Sequence, residues 1–283
     1  MIVGTAGESE VVRRSRQVPL AGALLDWQPV RHAASARRLG ALVRESAQYA
    51  AADLLGLVGV RRYHLRRGGR PVLLRHGTTD VWTFVEVFAR RLYEPPPAVA
   101  DALKRAEAPL VIDLGANIGM FGLDLLTRCP HARVVAYEPD AESAAIHRRL
   151  LRLNAANDRW RLVEACAGTH AGTVAFLRGQ QTESRIVSSR VPGSVDVPIA
   201  DVMPLFADAE LVKIDIEGGE WPLLADPRFG AARSVVLEYH PHGSPSDDPA
   251  RSARDILRSH GFDITPVFHE PSGIGMVWAT RPA

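Results

Sequence analysis

The chain has 283 residues, 46% of them apolar, with a formal net charge of +2. That length accommodates one large α/β domain with an accessory segment, and that apolar content excludes wholesale disorder. The near-neutral balance argues against a polyanionic partner. No apolar run reaches the ~20 residues of a membrane helix. The only two cysteines, Cys129 and Cys166, show neither a disulfide framework nor paired metal-ligand spacing.

Charge is distributed unevenly. Residues 1–70 hold twelve arginines against five acids. Such a face can meet nucleic acid or an acidic substrate, but a solvated helical face accounts for it more simply. Arg and Glu interrupt the N-terminus, so it lacks a signal-peptide h-region, and two unpaired thiols suit a reducing cytoplasm. A soluble cytoplasmic protein is expected.

In chain order, residues 1–12 read as a loose end. From Leu20 to Leu57 the chain is rich in Ala, Leu and Arg, and two or three helices are predicted there as a cap. Gly68 and Gly69 signal a turn, with a short strand over Pro71 to Leu74. In RHGTTDVWTFVEVFARRLYEPPP, Thr79 or Asp80 can cap a helix whose apolar face is Val81, Phe84, Val85 and Phe88. Pro95 to Pro97 end it. This divides the chain into an N-terminal cap and lead-in segment (1–97) and a catalytic domain (98–283), which opens with a helix over Ala98 to Ala106.

VIDLGANIG, Val111 to Gly119, is the organising stretch: a buried strand, a glycine turn and a helix start. Val134 to Tyr137 is a second strand, followed by Glu138-Pro139 and a helix that Asp140 caps. A third strand over Arg161 to Val163 runs into Ala165 to Gly168. Thr173 to Leu177 and Val195 to Ile199 suggest an extra strand pair joined by a loop over 178–195. Leu211 to Ile216 and Ser234 to Tyr239 are the next core strands. Asp248-Pro249 starts a helix that Gly261 ends. Asp263 to Phe268 and Gly275 to Thr280 close the chain as an antiparallel pair. Strands alternating with helices make an open doubly wound sheet, whose ligands bind outside the strands' carboxyl ends.

Such a turn exposes backbone N–H groups at the positive end of a helix dipole, and an acid ending the second strand, Glu138, is placed for ribose hydroxyls. An adenosine-bearing cofactor is the first inference, either a dinucleotide or S-adenosylmethionine. Dinucleotide turns place glycine where this chain has Asn117, to let backbone approach a pyrophosphate. S-adenosylmethionine has no phosphate, and its ammonium and carboxylate suit Asp113 and the turn N–H groups. The pattern favours S-adenosylmethionine.

VIDLGANIG, AYEPD, EACAG, LVKIDIEGGEW and LEYHPHG together resemble the FkbM family of S-adenosylmethionine-dependent methyltransferases. The resemblance runs from Arg75 to His242, and residues 1–60 have no match. It implies a class I methyltransferase (Rossmann-like) fold with a seven-stranded sheet, behind the N-terminal helical cap, and transfer of methyl to a hydroxyl of a secondary metabolite. By the same resemblance Asp113, Gly115, Ala116, Asn117 and Gly119 hold the methionine end. Glu138 holds the ribose, Pro139 lies beside the adenine edge, and Ala165, Cys166 and Ala167 lie against the adenine. For Cys166 a buried thiol without a role is an equal reading.

An alcohol is a poor nucleophile until its proton begins to leave, so a base is needed at the sheet's carboxyl edge. Asp215, Glu217 and Glu220 come off the fourth core strand, and His240 and His242 end the fifth. Asp215, Glu217, His240 and His242 are the catalytic candidates, with Asp215 also assigned to the cofactor. Two close carboxylates raise one pKa, and histidine is the ordinary proton acceptor at neutral pH. The plainer readings are a Lys213–Asp215 ion pair, a helix-capping Glu217 and strand-end histidines at the surface. Glu238 reads as a supporting residue. Trp82, Phe84, Tyr93, Thr182, Ser184, Arg185 and Glu220 are the acceptor-wall candidates, competing with core packing or a solvated loop. Clustered acids raise a magnesium site, but no adjacent acid pair ends the fifth strand, so no metal is expected.

The expected partner is a small-molecule acceptor, free or carrier-bound, with no membrane and no nucleic acid, since the tetrads of base methylases are absent. The sequence leaves monomer and homodimer both open. N-methylation on the same fold, a nucleic-acid methyltransferase and a non-catalytic nucleotide-binding module are the alternatives.

Overall fold

The computed structural model describes residues 37–156, 158–177, 185–187 and 190–282. Residues 1–12, the start of the cap before residue 37, and most of the loop after Leu177, including Thr182 and Ser184, lie outside them, as does the side chain of Arg185.

Seven strands form the main sheet. In chain order they are β3 (Leu110–Leu114), β4 (Arg133–Tyr137), β5 (Trp160–Val163), β10 (Ala209–Ile214), β11 (Ser234–Tyr239), β12 (Asp263–His269) and β13 (Gly275–Thr280). Their spatial order is β12-β13-β11-β10-β3-β4-β5, and β13 alone runs antiparallel to its neighbours. This is the class I methyltransferase sheet. The order reverses between β3 and β10, which places a crevice at their carboxyl ends.

The strands are near-continuous apolar runs because both faces are covered. Val111, Val134, Ala136, Leu211 and Val236 pack on one side. Ile112, Leu114, Val212, Ile214, Val235 and Leu237 pack on the other. Strand parity then decides where the polar residues go. Asp113, Lys213 and Glu238 lie in phase with Val111, Leu211 and Val236, so they share the first face.

That first face also receives the lead-in segment. It comprises α1 (Ser46–Leu54), a hairpin of β1 (Gly59–His64) with β2 (Pro71–His76), and α2 (Asp80–Phe84), which continues as a π-helical turn over Val85–Ala89. Tyr49, Tyr63, Leu73, Phe84 and Tyr93 join the same core as Val111 and Val236. The expected helical cap thus includes a two-stranded hairpin. Its first strand carries little apolar signal, since only Tyr63 of its six residues is buried. The helix cap also differs: neither Thr79 nor Asp80 caps α2 with its side chain. The Asp80 carboxylate instead grips the Arg75 guanidinium at 2.7 and 3.0 Å. Pro97 opens α3 (Pro97–Arg105) rather than ending α2.

On the same face, α4 (Met120–Arg128) and α5 (Ala141–Leu153) follow β3 and β4 and share that core through Phe121, Leu125 and Leu150. The Asp140 carboxylate caps α5 by accepting from the N–H groups of Glu142 and Ser143. Between β5 and β10 the chain makes a separate four-stranded sheet in the order β6-β9-β7-β8, from β6 (Cys166–Gly168), β7 (Gly172–Leu177), β8 (Arg185–Val187) and β9 (Ser194–Asp201). The expected extra pair forms, and β7 and β9 run antiparallel. After β10 come α6 (Glu220–Ala225) and, after β11, α7 (Pro249–Ser259). Among the described residues no helix is long and apolar enough to cross a membrane.

Candidate active site

β3 ends at Leu114 and the chain turns at once. Gly115 has φ +75°, and a Cβ there would lie 1.7 Å from the Asp215 carbonyl oxygen. Only glycine lets the loops after β3 and β10 touch. Asn117 also takes a left-handed φ, +48°. Its N–H donates to Glu138 Oε2 at 2.8 Å, while Glu138 Oε1 accepts from the Asp140 N–H at 2.8 Å. Glu138 thereby latches the first turn to the second. Burial pushes its carboxyl up to about 7, against the pull of those two N–H groups.

The turn opens on a cavity of about 630 Å³. Gly115, Ala116, Asn117, Glu138 and Pro139 line one end. Asp215, Glu217, Glu238 and His240 line the other, at the carboxyl ends of β10 and β11. Beneath both ends lies Lys213. Its ammonium donates to the carbonyls of Leu114 (3.2 Å) and Gly115 (2.7 Å), and pairs with Asp113 and Asp215 at 3.4 Å each. Burial alone would lower the Lys213 pKa, but the Asp215 and Asp113 charges outweigh it and raise it. Lys213 is a fixed cation tying the glycine turn to the acidic wall.

β10 stops at Ile214, two residues earlier than the sequence predicts. Asp215 and Glu217 therefore reach the cavity through a loop and not through strand parity. Glu217 sits at φ +53°, a conformation a non-glycine residue adopts at a cost, and it caps no helix. Its carboxylate lies 3.2 Å from His240 Nε2. On the imidazole's other side, Glu220 Oε1 lies 3.4 Å from Nδ1 and accepts the His240 backbone N–H at 2.6 Å. Burial would lower the His240 pKa, but Glu220, Glu217 and Asp215 push it up to about 9. Burial and the Asp215 charge push Glu217 up to about 7. The surrounding carboxylates thus favour the cationic form of His240 beside Glu217.

The lead-in segment closes the cavity. Trp82, Glu86 and Tyr93 line it, and the Tyr93 hydroxyl donates toward Asp215 Oδ2 (3.3 Å) and Glu238 Oε2 (3.5 Å). Arg75, held by Asp80, reaches the Ser143 hydroxyl at 3.1 Å and so fastens this wall to α5. Phe176 of β7 adds a wall from the small sheet.

Several expected residues land elsewhere. Asp113 is fully buried below the turn against Lys213, too deep to meet a ligand directly. Gly119 is buried as well; it starts α4 at φ +90°, where a Cβ would strike the His147 ring at 2.7 Å. Glu220, expected on the acceptor, is fully buried and occupied by His240 and the Gly218 N–H (2.8 Å). His242 is exposed at the surface, and its carbonyl accepts from Trp221 Nε1 at 3.0 Å. Cys166 packs with Phe176, Val197 and Ile199 in the core of the small sheet, with Ala165 and Ala167 buried alongside it in the chain. Phe84 is core, 6.0 Å from the Tyr49 ring centroid.

Glu86 is not apparent from local pattern and faces the cavity from the π-helical turn, while Glu238, read as a supporting residue, lines it from the end of β11, two residues before His240. Asp215, Glu238 and His240 bring one ligand atom each within 4.8 Å of one another, a convergence that adjacent-acid spacing does not reveal.

The cavity suits a cationic adenosine derivative. Glu138 spends one lone pair per oxygen on backbone and keeps acceptor capacity toward the cavity. The opposite wall is acidic, which matches a sulfonium. Together with the sheet order, this defines a class I S-adenosylmethionine-dependent methyltransferase. The chain belongs to the FkbM family: the family profile described as "Methyltransferase FkbM domain" matches residues 113–264, more than half of the chain. The match starts later and ends later than the Arg75–His242 resemblance. The chain is 26% identical over 216 residues to "Methyltransferase sdnD" of Sordaria araneosa, covering 61% of this chain and 82% of that one. It is 32% identical over 233 residues to the "AMB antimetabolite synthetase AmbE" of Pseudomonas aeruginosa, covering 65% of this chain but only 11% of that much longer relative. Among solved structures, P. horikoshii TYW2 in complex with MeSAdo is 15% identical over 86% of this chain and 83% of that one, with a TM-score of 0.39.

Proposed function

We propose that this methyltransferase moves the methyl group to a hydroxyl of a small-molecule secondary metabolite, free or carrier-bound, in the cytoplasm. The observation that carries this is the convergence of Asp215, Glu217, Glu238 and His240 on the cavity that the glycine turn opens. A hydroxyl needs a proton acceptor at the moment of transfer, and a carboxylate held near neutrality, Glu217, meets that need. The relative within an antimetabolite synthetase supports a biosynthetic acceptor.

Bound S-adenosylmethionine supplies an activated methyl group. The glycine turn at Gly115 to Asn117 would hold its methionine end and Glu138 its ribose, with Pro139 at the adenine side. Asp215 faces its cationic end, and Lys213 holds Asp215 in place from beneath. Glu217 takes the acceptor's proton, and His240, fixed by Glu220, stabilises the Glu217 carboxylate before transfer. Tyr93 orients Asp215 and Glu238 through its hydroxyl.

Calorimetry with S-adenosylhomocysteine tests the cofactor half, with micromolar binding expected. The transfer half is tested with methyl-labelled S-adenosylmethionine over a panel of hydroxylated metabolites, free and thioester-linked, with the methylated atom located by NMR. Label on nitrogen, or no transfer to any hydroxyl by cofactor-loaded enzyme, would overturn the reading.

A further inference from the structure

We infer that the acceptor carries an ammonium group, which this enzyme receives between the Trp82 indole and the Glu86 carboxylate. The inference rests on the cavity being the acceptor site proposed above.

The first observation is a surplus of negative charge. Glu86, Asp215, Glu217 and Glu238 all line this end of the cavity. The cations near them are committed elsewhere. Lys213 pairs with Asp113 and Asp215, His240 with Glu217 and Glu220, and Arg75 with Asp80. Arg90, four residues after Glu86, is exposed and makes no ion pair with it. Among the described residues Glu86 thus has neither a hydrogen-bond nor an ion-pair partner, and Glu238 has only the Tyr93 hydroxyl at 3.5 Å and the shared His240 at 3.8 Å. Burial and the Asp215 charge push the Glu86 carboxyl up to about 7, with Glu270 adding repulsion against the weaker pull of Arg90 and Lys213.

The second observation is Trp82. It stands four residues before Glu86, one turn away on the same side of the lead-in helix. Its side chain is 67% exposed at the cavity it lines. A large indole left in water beside an unpartnered carboxylate is the pair of groups that recognises an organic cation: the ring face attracts the charge and the carboxylate accepts its N–H groups. The ammonium is a recognition group and not the methylated one. A protonated nitrogen has no lone pair to attack with, so the hydroxyl elsewhere on the acceptor remains the nucleophile. An acceptor with a free carboxylate is repelled from the same wall.

A matched trio of probes separates these cases: 2-phenylethylamine, 2-phenylethanol and phenylacetate share an aromatic body and differ in charge. Their dissociation constants are measured by ligand-observed NMR on the full chain loaded with S-adenosylhomocysteine. The amine should bind about tenfold or more tightly than the alcohol, with the acid weakest. Glu86→Gln should bring the amine down to the alcohol while leaving S-adenosylhomocysteine affinity unchanged, and Trp82→Ala should weaken the amine as well. Alcohol or acid binding as tightly as the amine, no binding of the amine, or an amine preference that survives Glu86→Gln would overturn the inference. Magnesium added alone supplies one more arm: if it binds and displaces the amine, the surplus charge belongs to a metal and the inference fails. Failure of S-adenosylhomocysteine itself to bind would instead sink the functional reading.

Discussion

Gly115→Ala probes the contact on which the whole crevice depends. The new methyl would lie 1.7 Å from the Asp215 carbonyl oxygen, and the nearest clashing atom is backbone, which cannot swing away. Ordinary contact begins at 3.4 Å, so the loops after β3 and β10 must part by about 1.7 Å. The residue would also hold φ +75° with a Cβ, a strain of about 1–2 kcal/mol. For a chain of this size the strain alone lowers Tm by about 2–4 °C. Parting the loops costs more and pulls the glycine turn and the Asp215 side chain apart across the cavity they both line, and misplacement by about 1 Å costs on the order of 100-fold. Calorimetry with S-adenosylhomocysteine and a thermal melt read the two effects separately. Gly56→Ala is the control, because Gly56 has φ +59° with nothing within 4 Å of its would-be Cβ. The control should lose a few degrees and no affinity. Gly115→Ala should lose both, and wild-type affinity in Gly115→Ala would refute the account of the turn.

Glu217 labelled with carbon-13 should titrate at about 7 by NMR while His240 stays cationic to about 9; His240→Gln should move the Glu217 midpoint upward, and an unmoved midpoint would show that the pair is uncoupled. Asp113→Ala leaves Lys213 buried with one carboxylate fewer, so it should cost about 3–5 kcal/mol in chemical denaturation; a stability loss below 1 kcal/mol would mean that the pair is not a strut. His147 is fully buried against the Trp160 ring, and burial holds its pKa down to about 4 against the weaker pull of the Asn117 backbone. The unfolded chain therefore binds the proton first, so the His147 contribution is complete above pH 6.5 and lost as pH falls toward 4, by about 3 kcal/mol. His147→Leu should flatten the acid limb of the stability curve, and an unchanged slope would count against it.

The motifs legible in the chain were those whose chemistry is local. VIDLGANIG and AYEPD each hold strand, turn and acid within a few residues, so the glycine turn and Glu138 could be read together. The strands β11 and β13 keep their expected bounds because buried apolar runs admit few alternatives. Asp113 was misplaced because a strand residue's depth depends on its neighbours, and its neighbour, Lys213, is a hundred residues away. Glu220 looked like a companion of Glu217, yet the first turn of α6 points it inward onto His240. Tyr93 is an acceptor-wall candidate in the sequence but Glu86 carries no motif: they reach the acidic wall because the lead-in segment folds over the first face of the sheet.

That last arrangement divides the enzyme's inheritance. The donor's cradle comes from β3, β4 and their turns, whereas the opposing wall comes from an upstream stretch fastened by Arg75 to Ser143 and from Phe176 on an inserted sheet. Substitutions in those two outlying pieces can retune which molecule is methylated while the machinery for the donor stays untouched, so one scaffold can serve different acceptors by changing its borders.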